Sequence, residues 1–231
     1  MGSDAAPLVT KLSWDSDFFK KKIGQLSFPA SKPSDPPPAL TDFDIIQCKV
    51  SSEDSDKINL LNTLNFKFVE GEMDLSLELN LNTLQTQLFP STERDVDALK
   101  SIAQEALLLS RYRSPWYEPS ARSALYKTWV EKAHYAQHDD LCLVERRQDS
   151  VVGFITLKVL GPKARIGLIA VKPEHQGMGV GRRLLQQAIS YSIQNECNEL
   201  NVATQLSNTV AINAYLKQGF LPEKISYWFY K

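Results

Sequence analysis

Histidine and cysteine are scarce in this chain, three of each among 231 residues. Cys48, Cys142 and Cys197 lie far apart and form neither a zinc-ligand spacing nor a Cys-x-x-Cys pair, so no metal site or dithiol chemistry is expected. An odd, sparse set of thiols fits a reducing compartment, and the expected location is the cytoplasm. An excess of charge is missing too. Lys and Arg number 26 against 27 Asp and Glu, which argues against the basic surface that nucleic-acid or anionic-membrane binders need. A small anion held locally stays possible. No apolar run approaches the roughly 18 residues that cross a bilayer. The opening Met1-Gly2-Ser3-Asp4-Ala5-Ala6-Pro7 has neither a secretion signal's basic start and apolar stretch nor the Ser or Thr of a myristoylation signal. The expectation is a soluble protein with no membrane insertion.

What is present is enough apolar residue, 43%, to bury one large core or an ordinary core beside a smaller one. Proline marks the first division. Pro29, Pro33, Pro36, Pro37 and Pro38 crowd into residues 29–41, and with φ fixed and donors removed that stretch reads as an extended loop. Before it, Trp14, Phe18, Phe19, Ile23, Leu26 and Phe28 anchor a small subdomain. After it, residues 43–50 read as strand, 55–64 as helix, and 66–79 as strand with Met73, Leu75, Leu77 and Leu79 alternating. A break near residues 80–83 separates an expected N-terminal domain, 1–80, from a larger one, 81–231.

The larger domain opens with an expected short strand at 85–89. A helix with Val96, Leu99, Ala103, Ala106 and Leu107 on one face follows, then a second marked by Ala121, Leu125, Trp129 and Ala133. Strands at 141–144, 151–159 and 164–171, helix 180–197, strand 200–204, helix 208–218 and strand 226–231 complete an α/β or α+β domain. The two halves echo each other. Ile58-Asn59-Leu60-Leu61 before Phe66 lines up with Ile212-Asn213-Ala214-Tyr215 before Phe220. On that alignment the first 80 residues are a truncated copy of the later domain, lacking its loop.

Glycine is sparse, ten residues, yet three of them fall in Ile169-Ala170-Val171-Lys172-Pro173-Glu174-His175-Gln176-Gly177-Met178-Gly179-Val180-Gly181-Arg182. A strand there runs into a glycine-rich turn that opens a long amphipathic helix. Backbone without Cβ atoms approaches a ligand closely, and the orphan N–H groups and dipole of a helix start favour a diphosphate. Arg182 and Arg183 add positive charge. A P-loop needs Lys and then Ser or Thr after its last glycine, and the dinucleotide fingerprint needs a third glycine where Arg182 stands, so both fail. Gln176, Gly179 and Gly181 after an apolar strand, with Asn208 and Tyr215 downstream, resemble the Gln/Arg-x-x-Gly-x-Gly/Ala mark of the GNAT superfamily of N-acetyltransferases.

The resemblance implies the GNAT fold, a mixed central sheet flanked by helices, and acetyl-CoA as cosubstrate. It narrows further. Phe68-Val69-Glu70-Gly71-Glu72-Met73-Asp74-Leu75, Ser110-Arg111-Tyr112-Arg113-Ser114-Pro115-Trp116-Tyr117, Val202-Ala203-Thr204-Gln205 with Asn208-Thr209, and Tyr227-Trp228-Phe229-Tyr230-Lys231 are similar to the enterobacterial dTDP-fucosamine acetyltransferases. That likeness implies a smaller, partial GNAT-like domain before a complete one, in a homodimer. It also implies acetylation of the 4-amino group of dTDP-4-amino-4,6-dideoxy-D-galactose, a nucleotide sugar of enterobacterial common antigen biosynthesis.

By the same resemblance, pantetheine lies along Ile169, Ala170 and Val171, and the diphosphate sits on Gln176, Gly177, Met178, Gly179, Val180, Gly181 and Arg182. Asn208 contacts the coenzyme or caps its helix, and the two roles coexist readily. Tyr215 falls on the family's proton donor. A phenol, protonated at neutral pH, suits a thiolate leaving group; the alternative is a tyrosine packed beside Leu216. Ala214 departs from the arginine that the similar enzymes carry there. Arg111, Arg113, Trp116 and Tyr117 are expected at the acceptor, the arginines pairing with a diphosphate and the rings stacking on thymine or sugar; the alternative is a loop whose rings are buried and whose arginines face water. No general base is named: His134, His138, His175, Glu70, Glu72 and Asp74 are present without a pattern that singles one out. A different amine acceptor, or a sensor that binds acetyl-CoA without turnover, stays open.

Overall fold

The structure, a computed structural model, describes residues 8–28, 40–80 and 86–231. The elements run β1 (Leu8–Lys11), α1 (Ser13–Phe19), β2 (Ile23–Ser27), β3 (Ile45–Ser51), α2 (Ser55–Thr63) and β4 (Lys67–Glu78). They continue with α3 (Val96–Ala106), α4 (Pro119–His134), β5 (Leu141–Arg147), β6 (Ser150–Leu160), β7 (Lys163–Val171), α5 (Val180–Gln194), β8 (Glu199–Gln205), α6 (Thr209–Lys217) and β9 (Leu221–Tyr230). Nearly every expected element is present. The short strand at 85–89 is the exception. Residues 86–89 hold no strand; Pro90, which has no N–H to give a ladder, makes a single bridge to Leu143. The proline-rich stretch lies largely outside the described residues, as does the break at 81–83. Among the described residues no helix is long and apolar enough to cross a membrane.

Contacts divide the chain inside β4 rather than after it: one unit takes in the residues up to Glu72 together with Ile225–Lys231, the other Met73–Lys224. The reason is the two ends of β4. Phe68 sits edge-on to Tyr227 and Phe229, with ring centroids 5.7 and 5.9 Å away. Leu75, four residues past Gly71, is instead buried in the core of the second unit with Met73 and Leu77 packed beside it.

In the first unit β1 and β2 pair antiparallel, β2 and β3 parallel, and β3 meets the end of β9 antiparallel, Cys48 opposite Phe229. Leu26, Ile46, Cys48, Val50, Leu61, Phe66 and Phe229 form its core. In the second unit the order is β4-β8-β7-β6-β5, with β5, β6 and β7 antiparallel and β7 parallel to β8. One face packs Leu184, Leu185 and Ala188 of α5 and Tyr215 of α6 against Ile155, Ile166 and Val202. The other packs Leu99, Ile102 and Ala103 of α3 and Tyr126 and Val130 of α4 against Phe154, Leu168 and Ala170.

The echo between the halves is written in the geometry. β3-α2-β4 and β8-α6-β9 begin with strands of seven residues and helices of nine, joined by connections of equal length. Position for position, Asp54 caps α2 by accepting from the Lys57 amide at 3.1 Å, and Asn208 caps α6 by accepting from the Ala211 amide at 3.2 Å. Asn65 and Gly219, both left-handed at φ 61° and 90°, end the matching turns. Two differences carry meaning. Leu61 occupies the position of Tyr215, and α5 with its glycine turn, which joins β7 to β8, has no counterpart among the described residues between β2 and β3.

Asp54 yields an expected outcome. The hydrogen bond and charge that Lys57 brings to its side chain hold the carboxyl below the ordinary carboxylate range, so the stabilisation is present at neutral pH and is lost as pH falls through that range to the lowered value. Asp54→Ala is expected to lower stability by about 1 kcal/mol at pH 7, with the gap to the wild type narrowing in urea unfolding as the pH is taken into and below the ordinary carboxylate range.

Candidate active site

The second unit contains a break in its own sheet. The parallel ladder between β7 and β8 runs from Lys163 opposite Glu199 to Ile166 opposite Val202 and stops, although β7 continues to Val171 and β8 to Gln205. At that point β7 also shifts register against β6: Leu157 faces Ile166, but Ile155 faces Ile169. One extra residue is thus accommodated on β7 around Gly167 and Leu168, a β-bulge. Its effect is visible in the side chains, since Ala164 and Ile166 before it, and Ile169 and Val171 after it, share the α5 face.

Backbone groups follow the same alternation. The Lys172 amide donates to the Val152 carbonyl at 2.9 Å, which puts the N–H and C=O of Ala170 on the β6 side and those of Ile169 and Val171 on the opposite edge. That edge faces the gap left by β8. Gln176 Nε2 donates to the Val171 carbonyl there at 3.3 Å.

Beyond Val171 the chain makes a 3-10 turn (Pro173–His175) and reaches the glycines. Gly177 and Gly179 are left-handed, with φ of 74° and 76°, and a Cβ on Gly177 would meet nothing within 4 Å. Gln176, Gly177 and Met178 are exposed, so the turn is open. The first bond of α5 is donated by Arg183 to the Gly179 carbonyl at 3.1 Å, leaving the N–H groups of Val180, Gly181 and Arg182 directed outward from a 15-residue helix. This set fits a diphosphate: donors converge, the dipole is favourable and Arg182 is exposed nearby. Arg183 serves another purpose. Its guanidinium pairs with Glu145 and donates to the Met178 carbonyl at 3.3 Å, bracing the turn from inside.

Asn208 caps α6 and also donates to Thr204 Oγ1 at 3.4 Å. Tyr215 is 3% exposed and lies 5.5 Å from the Phe220 ring, in the same apolar cluster as Ile166, Val180, Val202 and the half-buried Ile169 and Val171. Burial pushes its phenol pKa up, so the hydroxyl keeps its proton throughout the neutral range.

The loop between α3 and α4 places Arg111 over the Tyr112 ring, 4.3 Å from the centroid, with Nη2 donating to the Tyr112 hydroxyl at 2.7 Å. Arg113 is exposed and Trp116 half-buried. Tyr117 is buried, its ring edge-on to Tyr112 at 5.2 Å, so it supports the loop from beneath. The histidines scatter. His134 bonds Ser91 Oγ at 2.8 Å, and His138 packs against Trp129, its pKa lowered first by burial. Glu72 is occupied by Lys49 at 2.5 Å and by Trp228 Nε1 at 2.9 Å.

Sequence reasoning passed over the polar side chains that hold the bulge, Asp139 and Thr156. The signal was there: Thr156 interrupts the apolar run of β6, and Gly167 interrupts that of β7.

Comparison with known proteins points one way. The profile of the acetyltransferase (GNAT) family matches residues 104–220. The dTDP-fucosamine acetyltransferase of Escherichia coli O6:H1 is 32% identical over 225 residues, covering 96% of this chain and 97% of its own. The spore coat polysaccharide biosynthesis protein SpsD of Bacillus subtilis is 25% identical over 62% of this chain and half of its own. Among solved structures, a GCN5-related N-acetyltransferase from Sphaerobacter thermophilus superposes with a TM-score of 0.60 at 17% identity, covering 81% of this chain and 59% of its own. A tandem GNAT protein from the clavulanic acid biosynthesis pathway gives 0.56 at 13% identity over 90% of this chain and 74% of its own. At those identities the structures speak for the fold.

Gly179 tests the anion cradle. A Cβ there would be held in the left-handed region 3.2 Å from Arg183 Nη1. Gly179→Ala is expected to weaken coenzyme A binding about tenfold in calorimetric titration, the equivalent of roughly 1.4 kcal/mol.

Proposed function

Because the chain belongs to the acetyltransferase (GNAT) family, we propose that it carries an acetyl group from acetyl-CoA to the 4-amino group of a dTDP-linked 4-amino-4,6-dideoxy sugar, by direct transfer in a ternary complex. The observation that carries the choice of acceptor is the 32% identity to dTDP-fucosamine acetyltransferase along nearly the whole of both chains. The first unit falls within that span, and we read it as a partial copy of the GNAT fold that lacks a coenzyme site of its own. Assembly as a homodimer, a cytoplasmic location and a role in enterobacterial common antigen biosynthesis belong to the same reading.

In this mechanism Val180, Gly181 and Arg182 hold the diphosphate of acetyl-CoA, and the pantetheine arm adds to the free edge of β7 at Ile169 and Val171 as a β-strand would. The Ile169 amide is the donor nearest the start of the gap and polarises the thioester carbonyl, stabilising the oxyanion as charge develops. The neutral amine attacks that carbon, a C–N bond forms and the C–S bond breaks. Tyr215 gives its phenolic proton to the departing thiolate and regains one from the ammonium through water. Its buried surroundings suit a donor, because a phenol with a raised pKa is never lost to the tyrosinate at working pH. Arg111, Arg113 and Trp116 take the nucleotide diphosphate and base, with Tyr117 supporting the loop.

A free-thiol assay against dTDP-4-amino-4,6-dideoxygalactose, its 4-epimer, polyamines and peptide N-termini tests the assignment. Preference for the first sugar is expected; turnover only with another class of amine overturns the acceptor, and coenzyme binding without turnover for any of them overturns the transferase reading. Tyr215→Phe is expected to lower kcat about 100-fold with KM values little changed. Arg111→Ala with Arg113→Ala is expected to raise KM for the nucleotide sugar at least about tenfold and KM for acetyl-CoA hardly at all, as the loss of two charge-assisted bonds to one substrate requires.

A further inference from the structure

The bulge in β7 decides which amides reach the gap. Without the extra residue the alternation established at Ala164 and Ile166 would continue, and Leu168 and Ala170 would turn their N–H groups toward β8 while Ile169 and Val171 turned theirs toward β6. A bulge leaves an unpaired backbone donor in the interior, and an unmet buried N–H costs about 1–3 kcal/mol. Here the donor is the Leu168 amide, and it is met by the hydroxyl of Thr156 at 2.8 Å in place of a ladder carbonyl.

That hydroxyl is itself oriented. Thr156 is wholly buried, and its Oγ1 donates to Asp139 Oδ2 at 2.6 Å, which commits the proton to the carboxylate and leaves the lone pairs for the Leu168 amide. Trp129 Nε1 donates to the same Oδ2 at 2.9 Å, fixing the acid from the α4 side. The bulge residue is shaped to fit: a Cβ on Gly167 would lie 2.1 Å from Asp139 Oδ2 and 2.8 Å from Thr156 Oγ1. Asp139 is fully buried, and its second oxygen, Oδ1, finds no hydrogen-bond partner among the described residues. A buried carboxyl group with an unmet oxygen is a poor stabilising device, so what Asp139 does here lies in what it holds in place.

We propose that Asp139 is a positioning residue for acetyl transfer: through Thr156 it pins the β7 bulge, and the bulge aims the Ile169 amide at the thioester carbonyl. It touches no substrate. It acts on the rate by setting where a backbone donor stands, and a displacement of roughly 1 Å at such a donor lowers kcat on the order of 100-fold. The proposal rests on the acetyltransferase reading above and assigns to that reading residues other than those of the glycine turn and Tyr215.

Three variants of the full chain test it: Asp139→Ala, Asp139→Asn and Thr156→Val. Thr156→Val keeps the shape of the side chain and removes both hydrogen bonds, so it carries the test even where Asp139→Ala does not fold. In the thiol-release assay Thr156→Val and Asp139→Ala are expected to lose kcat about 100-fold with KM for acetyl-CoA within about threefold. Asp139→Asn, whose amide oxygen can accept from Thr156 and Trp129, is expected to stay within about fivefold of the wild type. A second readout does not depend on turnover: hydrogen exchange at the Leu168 amide is expected to speed up at least about tenfold in Thr156→Val. Unchanged kcat in Thr156→Val, or equal losses in Asp139→Asn and Asp139→Ala, would overturn the proposal. Should the wild type acetylate no amine, the function fails on its own, and unaltered Leu168 exchange in Thr156→Val then sinks the bulge assignment separately.

Discussion

Everything at the candidate site depends on two parallel strands that stop pairing too soon. β7 and β8 share a ladder for four residue pairs, Lys163 with Glu199 to Ile166 with Val202, and then part, β7 staying paired with β6 on its other edge. Unmet backbone donors and acceptors inside a sheet are costly, so a gap of this kind persists only where the surrounding packing compels it and a ligand strand can fill it. The bulge at Gly167 and Leu168 sets which groups line the gap, the cluster around Leu184 and Tyr215 holds its floor, and the open turn at Gly177 and Gly179 leads from it to the start of α5. In the proposed mechanism one extended coenzyme satisfies all of these at once: pantetheine along the strand edge, diphosphate at the helix.

The repeat sharpens that view. The first unit keeps the strand-helix-strand geometry of the second, including an Asx cap at Asp54 and a left-handed turn residue at Asn65. It has Leu61 where the second unit has Tyr215, and no α5 among its described residues. β2 and β3 pair in parallel as β7 and β8 do. On the proposed reading of the first unit as a partial copy, fold and chemistry have separated within one chain: the shared geometry is what packing requires, and the glycine turn and Tyr215 occur in the second unit alone among the described residues.

Much of this was legible in the residues. The glycine turn announces itself because glycine takes left-handed backbone at no steric cost, and Gly177 and Gly179 stand two positions apart after an apolar strand. Asn208 reads as a cap from its place before Ala211, and the elements follow from their apolar periods. Other features were not legible for physical reasons. Gly167 and Thr156 mark their strands as irregular, but one extra residue becomes a register shift, here between Ile155 and Leu157, only against a known partner strand. Asp139 sits in a polar run, Gln137 to Asp140, that reads as a solvated turn; only the approach of Thr156 and Trp129 reveals its burial. The border of the units fell inside β4, since an alternating strand does not say that its two ends serve different cores. Tyr117 was expected to stack on a ligand, and the packing of its ring on Tyr112 places it beneath the loop instead.

Amide-resolved NMR of the full chain during titration with acetyl-CoA addresses the central claim most directly. The account requires the N–H signals of Ile169, Val171, Val180, Gly181 and Arg182 to move together and saturate at one equivalent, while those at the start of α2 stay in place. Saturable binding that leaves the Ile169 and Val171 amides unmoved would contradict it, because the coenzyme would then have bound without filling the edge that β8 abandons.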